Sequence, residues 1–249
     1  MQLNQHASPH AISPSRADQW SAVSLCSVAS DRADDPLTGL ATRQGLIDYL
    51  NHVLANPAPD THPAALLLLD LDRFKTMNDR LGPLVCDRLL CHVARRLRTV
   101  VPGAALIARV SGDEFAVLVS DAATSAAVAD KLLDVLGRPY AVSGFAVTVS
   151  ARIGIATAGE HGDSALSLLH AAGLALHQTE RDGRNRVRRF LPSMQENARA
   201  CHALETDLRA ALTMQQIELR RALVSEQFEV HYQPQLDFGL FRLGSTRLR

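Results

Sequence analysis

Six consecutive apolar residues, 64–69, run straight into Asp70-Leu71-Asp72. No other feature restricts the fold as much. An unbroken apolar stretch without polar alternation belongs to a strand covered on both faces. Such a strand needs neighbours on each side and helices above and below it. It is far shorter than the ~20 residues that span a bilayer. The chain can supply the surrounding core, because 47% of its 249 residues are hydrophobic; only 4% are aromatic, so that core is built mainly from Leu, Val and Ala.

Periodic segments flank the run. Thr42 can cap a helix reaching residue 54, with Leu46, Ile47, Leu50, Val53 and Leu54 apolar, and Asn56-Pro57-Ala58-Pro59 ends it. The buried strand covers 64–71. A short helix over 73–80 and a longer one over 84–100 follow it. Residues 105–110 and 115–120 read as strands joined by a turn at Ser111-Gly112-Asp113-Glu114. A helix over 125–136, a strand over 145–156, a helix over 164–180 and a short strand over 187–190 complete the series. This order predicts an α/β (α+β) layer fold with a central, mainly antiparallel sheet flanked by helices.

The remaining segments are simpler. Residues 1–34 have no apolar period and read as a loose leader with a short helix over 20–28. Residues 35–191 form the main domain, and 192–225 a linker helix whose apolar spacing is clearest over 203–223. A strand over 228–232 and a tail without period make up 226–249.

Charge and cysteine content exclude several classes. Lys plus Arg and Asp plus Glu both number 26, so no overall field draws in nucleic acid or an anionic membrane, and any anion must be held locally. Residues 1–15 are polar and do not read as a secretion signal. Cys26, Cys86, Cys91 and Cys201 follow no zinc spacing, and Cys91 and His92 point different ways on a helix. They read as reduced thiols of a cytoplasmic protein.

The chemistry lies in the carboxylates. Asp70 and Asp72 end one apolar strand, and Asp113 and Glu114 sit at the tip of an apolar hairpin. If the strands are neighbours, the acids converge at one end of the sheet. Hard cations such as Mg²⁺ take oxygen ligands, commonly one or two carboxylates with phosphate oxygens completing the shell. Such a site suits a metal–nucleotide complex and phosphoryl transfer. Gly112 beside the acids lets a ligand approach the backbone. Taken alone, Asp113-Glu114 is also compatible with an ordinary solvated turn.

From residue 35 to about 190 the sequence resembles the GGDEF family of diguanylate cyclases. The resemblance rests on Asp35-Pro36-Leu37-Thr38-Gly39-Leu40, Asp70-Leu71-Asp72-Arg73-Phe74-Lys75, Asn78-Asp79 with Asp87, Ser111-Gly112-Asp113-Glu114-Phe115, and Gly183-Arg184-Asn185. It implies a nucleotide-cyclase palm of ferredoxin-like type. The implied reaction condenses two GTP into cyclic di-GMP and pyrophosphate in a homodimer, with Mg²⁺ (or Mn²⁺). Asp70, the main chain of Leu71, Asp113 and Glu114 are the implied metal ligands, and Asp113 is implied in activating the 3′-hydroxyl, with Glu114 as its catalytic neighbour. Asn78 and Asp87 match the guanine contacts. Lys75, Arg184 and Gly112 match the rest of the substrate site.

The sequence departs from the family in places. Ser111 stands where the family usually has Gly, Cys86 replaces the Gly before Asp87, and Pro83 follows Gly82. Thr42 replaces the usual Asn before Arg43, and Glu180 stands where a lysine is common, reversing a charge expected to face phosphate. Pro102 and Ala105 occupy the positions of the family's product-feedback Arg and Asp, so inhibition through that site is not expected. Further on, Leu204-Glu205-Thr206-Asp207-Leu208-Arg209 and residues 228–235 resemble the start of an EAL phosphodiesterase domain, here read as a truncated remnant without its metal-binding acids.

Overall fold

The computed structural model describes residues 34–56 and 62–224 and the short strands at 230–232 and 246–248. The predicted leader helix over 20–28, Cys26, Pro57 to Pro59 of the expected helix stop, and residues 228, 229 and 233–235 lie outside the described residues. The chain divides into two units, Met1–Gln195 and Glu196–Arg249.

The first unit is built on a six-stranded sheet. In chain order the elements are β1 (Ala41–Thr42), α1 (Arg43–Ala55), β2 (Ala65–Leu71), α2 (Phe74–Leu81), α3 (Pro83–Val100), β3 (Leu106–Ser111) and β4 (Glu114–Val119). Then come α4 (Ser125–Leu136), β5 (Tyr140–Val142), β6 (Phe145–Val147), β7 (Ala151–Thr157), α5 (Ala165–Asp182) and β8 (Val187–Arg189). The sheet order is β1-β3-β4-β2-β7-β8. The inner pairs β3–β4, β4–β2 and β2–β7 are antiparallel, whereas the edge pairs β1–β3 and β7–β8 are parallel. The apolar strand thus lies inside the sheet, as its sequence requires, and the expected mainly antiparallel sheet flanked by helices is present.

The alternation of a strand explains why β2 is apolar throughout. Leu67 and Leu69 join Phe115 and Val117 under α3 and α4, against Leu90, Val93, Leu97 and Leu132. Leu66 and Leu68 face the other way, with Ala116 and Leu118, under Leu46, Leu50, Leu168 and Ala172 of α1 and α5. Each fully buried Leu contributes about 1.5–3 kcal/mol relative to exposure.

Local signals set the element ends. The Thr42 hydroxyl accepts from the Gly45 N–H at 3.3 Å and caps α1 as expected. Ser164 and Ser167 form a reciprocal capping box at the start of α5. Gly154 in β7 allows a close helix–sheet approach: a methyl group there would overlap the Ala172 carbonyl and the Leu176 backbone of α5.

One expectation needs correction. The strand predicted over 145–156 is two elements, because residues 145–147 turn back on Tyr140–Val142 in a separate hairpin. Its turn, Ser143-Gly144, has positive φ at both residues (51° and 85°), as a tight two-residue hairpin loop demands. The segment over 192–225 carries one long helix, α6, spanning Pro192–Val224. In the second unit Val230–Tyr232 forms strand β9, paired antiparallel with β10, Thr246–Leu248, inside the tail read as having no period.

Candidate active site at the β2 and β4 strand ends

The site is set by sheet register. Asp70 at the end of β2 is paired with Glu114 at the start of β4 and, on its other side, with Arg152 of β7. Asp70, Glu114 and Arg152 fall in the same alternation as Leu68, Ala116 and Gly154, so they lie on the α1/α5 face. Gly154 lies against Leu176; one helical turn further along α5 stands Glu180. The close approach at Gly154 therefore brings the last turn of α5 to Arg152.

Arg152 is the hub. Its Nη2 is hydrogen-bonded to Asp70 Oδ2. Its Nη1 lies 3.2 Å from Glu180 Oε1 and its Nε 2.9 Å from Asp72 Oδ1. The Nε N–H is buried without an aligned acceptor, so its contact with Asp72 is one of charge rather than a hydrogen bond. Asp72 is held from the other side: the Ser150 hydroxyl donates to Oδ2 at 2.6 Å and the Asp72 N–H to the Ser150 carbonyl at 2.8 Å. His177 Nδ1 also lies 3.0 Å from Glu180 Oε2. Burial disfavours the Arg152 charge, but Asp70, then Asp72 and Glu180, hold the guanidinium still more firmly protonated than usual.

The acids sense one another. Burial pushes the Asp70 carboxyl above its ordinary range; Arg152 opposes this, and the charges of Asp113 and Glu114 add to it. Asp113 is also raised, first by burial and then by Glu114, against its own backbone hydrogen bond and the pull of Arg152 and Arg109. Neighbouring desolvated carboxylates are oxygen donors suited to a hard divalent cation in kind. Among the described residues, however, no group of three or more His, Cys, Asp or Glu side chains is arranged as a ligand set. Arg152 engages Asp70, and the Ser111 hydroxyl donates to Glu114 Oε2 at 2.7 Å. Ser111 thus orients one of the acids.

The hairpin is tied to the first motif by Arg109. Its Nε and Nη2 donate to the Gly112 carbonyl at 3.0 and 2.8 Å, and its Nη1 reaches both Asp35 oxygens at 3.2 Å. Asp35 also accepts from the Thr38 N–H (2.8 Å) and hydroxyl (2.6 Å). Burial raises the Asp35 carboxyl, but Thr38 and Arg109 outweigh it and leave the group below its ordinary value. Gly112 takes positive φ (30°) at the tip.

The other expected residues lie on β2, α2, α3 and the turn after α5. Leu71 is buried at the end of β2. Lys75 is exposed in the first turn of α2, while Asn78 on α2 and Asp87 on α3 are half-buried on either side of Gly82, which carries φ 82° before Pro83 starts α3. Arg184 is exposed in the turn after α5. Cys86 is buried, with burial and then the Asp87 charge raising its thiol, so it is an unreactive core group. The sequence reading missed Arg109 and Arg152. A charged residue inside an apolar strand, which needs a partner, was the signal available for Arg152.

The family profile described as "Diguanylate cyclase, GGDEF domain" matches residues 32–186. The chain belongs to the GGDEF-domain family. The bifunctional diguanylate cyclase/cyclic di-GMP phosphodiesterase MucR of Pseudomonas aeruginosa is 36% identical over 204 residues, which cover 81% of this chain and 28% of MucR. The diguanylate cyclase TpbB of the same organism is 36% identical over 162 residues, 64% of this chain and 37% of TpbB. The crystal structure of the TpbB (YfiN) GGDEF domain is 34% identical, with a TM-score of 0.58, covering 62% of this chain and 98% of that one. The sheet and helices described above are therefore the palm of a GGDEF domain. The chain spans only 23% to 29% of the length of five of its curated relatives.

Proposed function

We propose that this GGDEF domain binds GTP with Mg²⁺ or Mn²⁺ and, as a homodimer, condenses two GTP into cyclic di-GMP and pyrophosphate. One observation carries the reading: register pairs Asp70 with Glu114, so acids of two neighbouring strands meet at one sheet end beside Asp113 and Gly112. A divalent ion bound there would neutralise phosphate charge and ease ionisation of the 3′-hydroxyl. Asp70, the Leu71 carbonyl, Asp113 and Glu114 would hold it. Asp113 would accept the hydroxyl proton, Asn78 and Asp87 would read guanine through their donor and acceptor edges, and Lys75 and Arg184 would contact phosphate. The two substrates must face each other, which is why the reaction needs two protomers.

One observation favours a second reading, a GTP-binding or protein-interaction module without turnover: Arg152 is already seated against Asp70. The two are separated by incubating the purified chain with GTP and Mg²⁺ and resolving products by chromatography. The cyclase reading requires cyclic di-GMP from the natural chain and none from Asp113→Ala with its fold intact. GTP binding without product would leave the second reading.

We place the protein in the cytoplasm; among the described residues no helix is long and apolar enough to cross a membrane. The match to MucR, 204 residues, is longer than the profile match at 32–186. We read the segment after the domain as the start of an EAL-type unit on its own residues, 204–209 and 228–235.

A further inference from the structure

We propose that Arg152 is a built-in counter-ion of the acidic site, occupying the place of a divalent cation in neutralising the carboxylates, and that a cation binds only as Arg152 lets go of Asp70. The proposal rests on the metal–nucleotide reading above and adds to it a residue that controls access. Three carboxylates converge on one guanidinium whose side chain is only 18% exposed: Asp70 of β2, Asp72 in the turn after it, and Glu180 of α5. A cation this enclosed satisfies the charge that a metal would otherwise satisfy, and two cations crowded on Asp70 repel each other.

The three contacts are unequal. Asp72 is anchored by Ser150 and meets Arg152 through charge alone, because the Nε N–H has no aligned acceptor. Glu180, 49% exposed, shares itself with His177. Asp70 is the partner engaged through an aligned hydrogen bond and also the acid paired with Glu114 across the sheet. Release of Asp70 leaves Arg152 with Asp72 and Glu180 and frees Asp70 Oδ2. In this arrangement Glu180 serves to hold Arg152 over the site rather than to meet phosphate.

The test is Mn²⁺ binding without nucleotide, followed by the electron paramagnetic resonance signal of free Mn²⁺, on the full chain. It compares the natural chain, Arg152→Gln and Arg152→Gln/Asp113→Asn. Thermal unfolding is recorded with and without the ion. Arg152→Gln is expected to bind Mn²⁺ at least tenfold more tightly, to unfold earlier without the ion, and to gain more from it. Asp113→Asn in that background is expected to remove the gain. Equal affinity with and without Arg152, still abolished by Asp113→Asn, would overturn the counter-ion proposal and leave the metal site standing. No binding by any folded chain would overturn the metal site itself, and the proposal with it. If Arg152→Gln does not fold, Arg152→Lys decides: it keeps a charge but cannot span three carboxylates, and a threefold gain in affinity supports the proposal, whereas no gain overturns it.

Discussion

Replacing Arg109 by Ala removes the link between the first motif and the hairpin, and its cost can be worked from the geometry. The Arg109 and Asp35 side chains are 15% and 16% exposed, so solvent screens the pair little. Removing one partner of a buried ion pair costs about 3–5 kcal/mol. Here the charged contacts are long, at 3.2 Å, and Asp35 keeps both Thr38 hydrogen bonds. The Gly112 carbonyl is exposed enough for water to replace its lost donors. The expected loss is therefore below that range, about 2–3 kcal/mol, a large share of the ~5–15 kcal/mol of a typical domain. Urea unfolding at neutral pH measures it, with the midpoint lower and the slope unchanged. A double-mutant cycle with Asp35→Asn should give a coupling of about 1–2 kcal/mol. A cost under about 0.5 kcal/mol, typical of a bland surface change, with strict additivity in the cycle, would refute the argument.

The same pair predicts a pH dependence. The folded pKa of Asp35 is depressed, so its contribution is fully present above the unfolded value of about 3.9 and is lost as pH falls through the folded one. The gap between the natural chain and Arg109→Ala should be level near neutrality and narrow at acid pH in urea titrations. Gly154→Ala should cost about 1–3 kcal/mol or more by driving α5 off the sheet, seen as a lower thermal midpoint. Arg96 donates to the carbonyls of Val135, Arg138 and Pro139 and lies 3.5 Å over the Tyr140 ring, so Arg96→Ala should destabilise by about 2 kcal/mol in urea unfolding. Ser111→Ala removes one exposed hydroxyl contact to Glu114 and should shift stability by under about 0.5 kcal/mol in the same assay.

The fold was legible wherever one local rule acted alone. The apolar run of β2 required cover on both faces and has it. Thr42 required a helix after it, and α1 is there. The failures arose where two rules overlapped. Residues 145–156 are β-prone throughout, and that propensity hid the turn at Ser143-Gly144 that folds the first part into its own hairpin. The parallel edge pairing of β1 was not legible, since a strand of two residues, Ala41–Thr42, has no period to read.

At the site, legibility depended on how far apart the partners lie in the chain. Asp113 and Glu114 announce themselves within one hairpin, and Asp70 ends a strand that could hardly lie anywhere but beside them. Arg152 lies 82 residues from Asp70, and only the register of β7 on β2 brings them together. Without that register Glu180 is misread. Taken singly, it is a carboxylate standing where the resemblance implies a lysine. In the fold it is bound to Arg152, so the cation and the anion are one coupled unit, held by the close approach of α5 at Gly154. The charge facing the site is therefore set by both residues together. Changing Glu180 alone to Lys would place two cations side by side rather than supply a phosphate contact. The same substitution made with Arg152→Gln would leave one cation at the site. Measured as GTP affinity, the double change should exceed Glu180→Lys alone; the reverse order would show that Glu180 and Arg152 act separately.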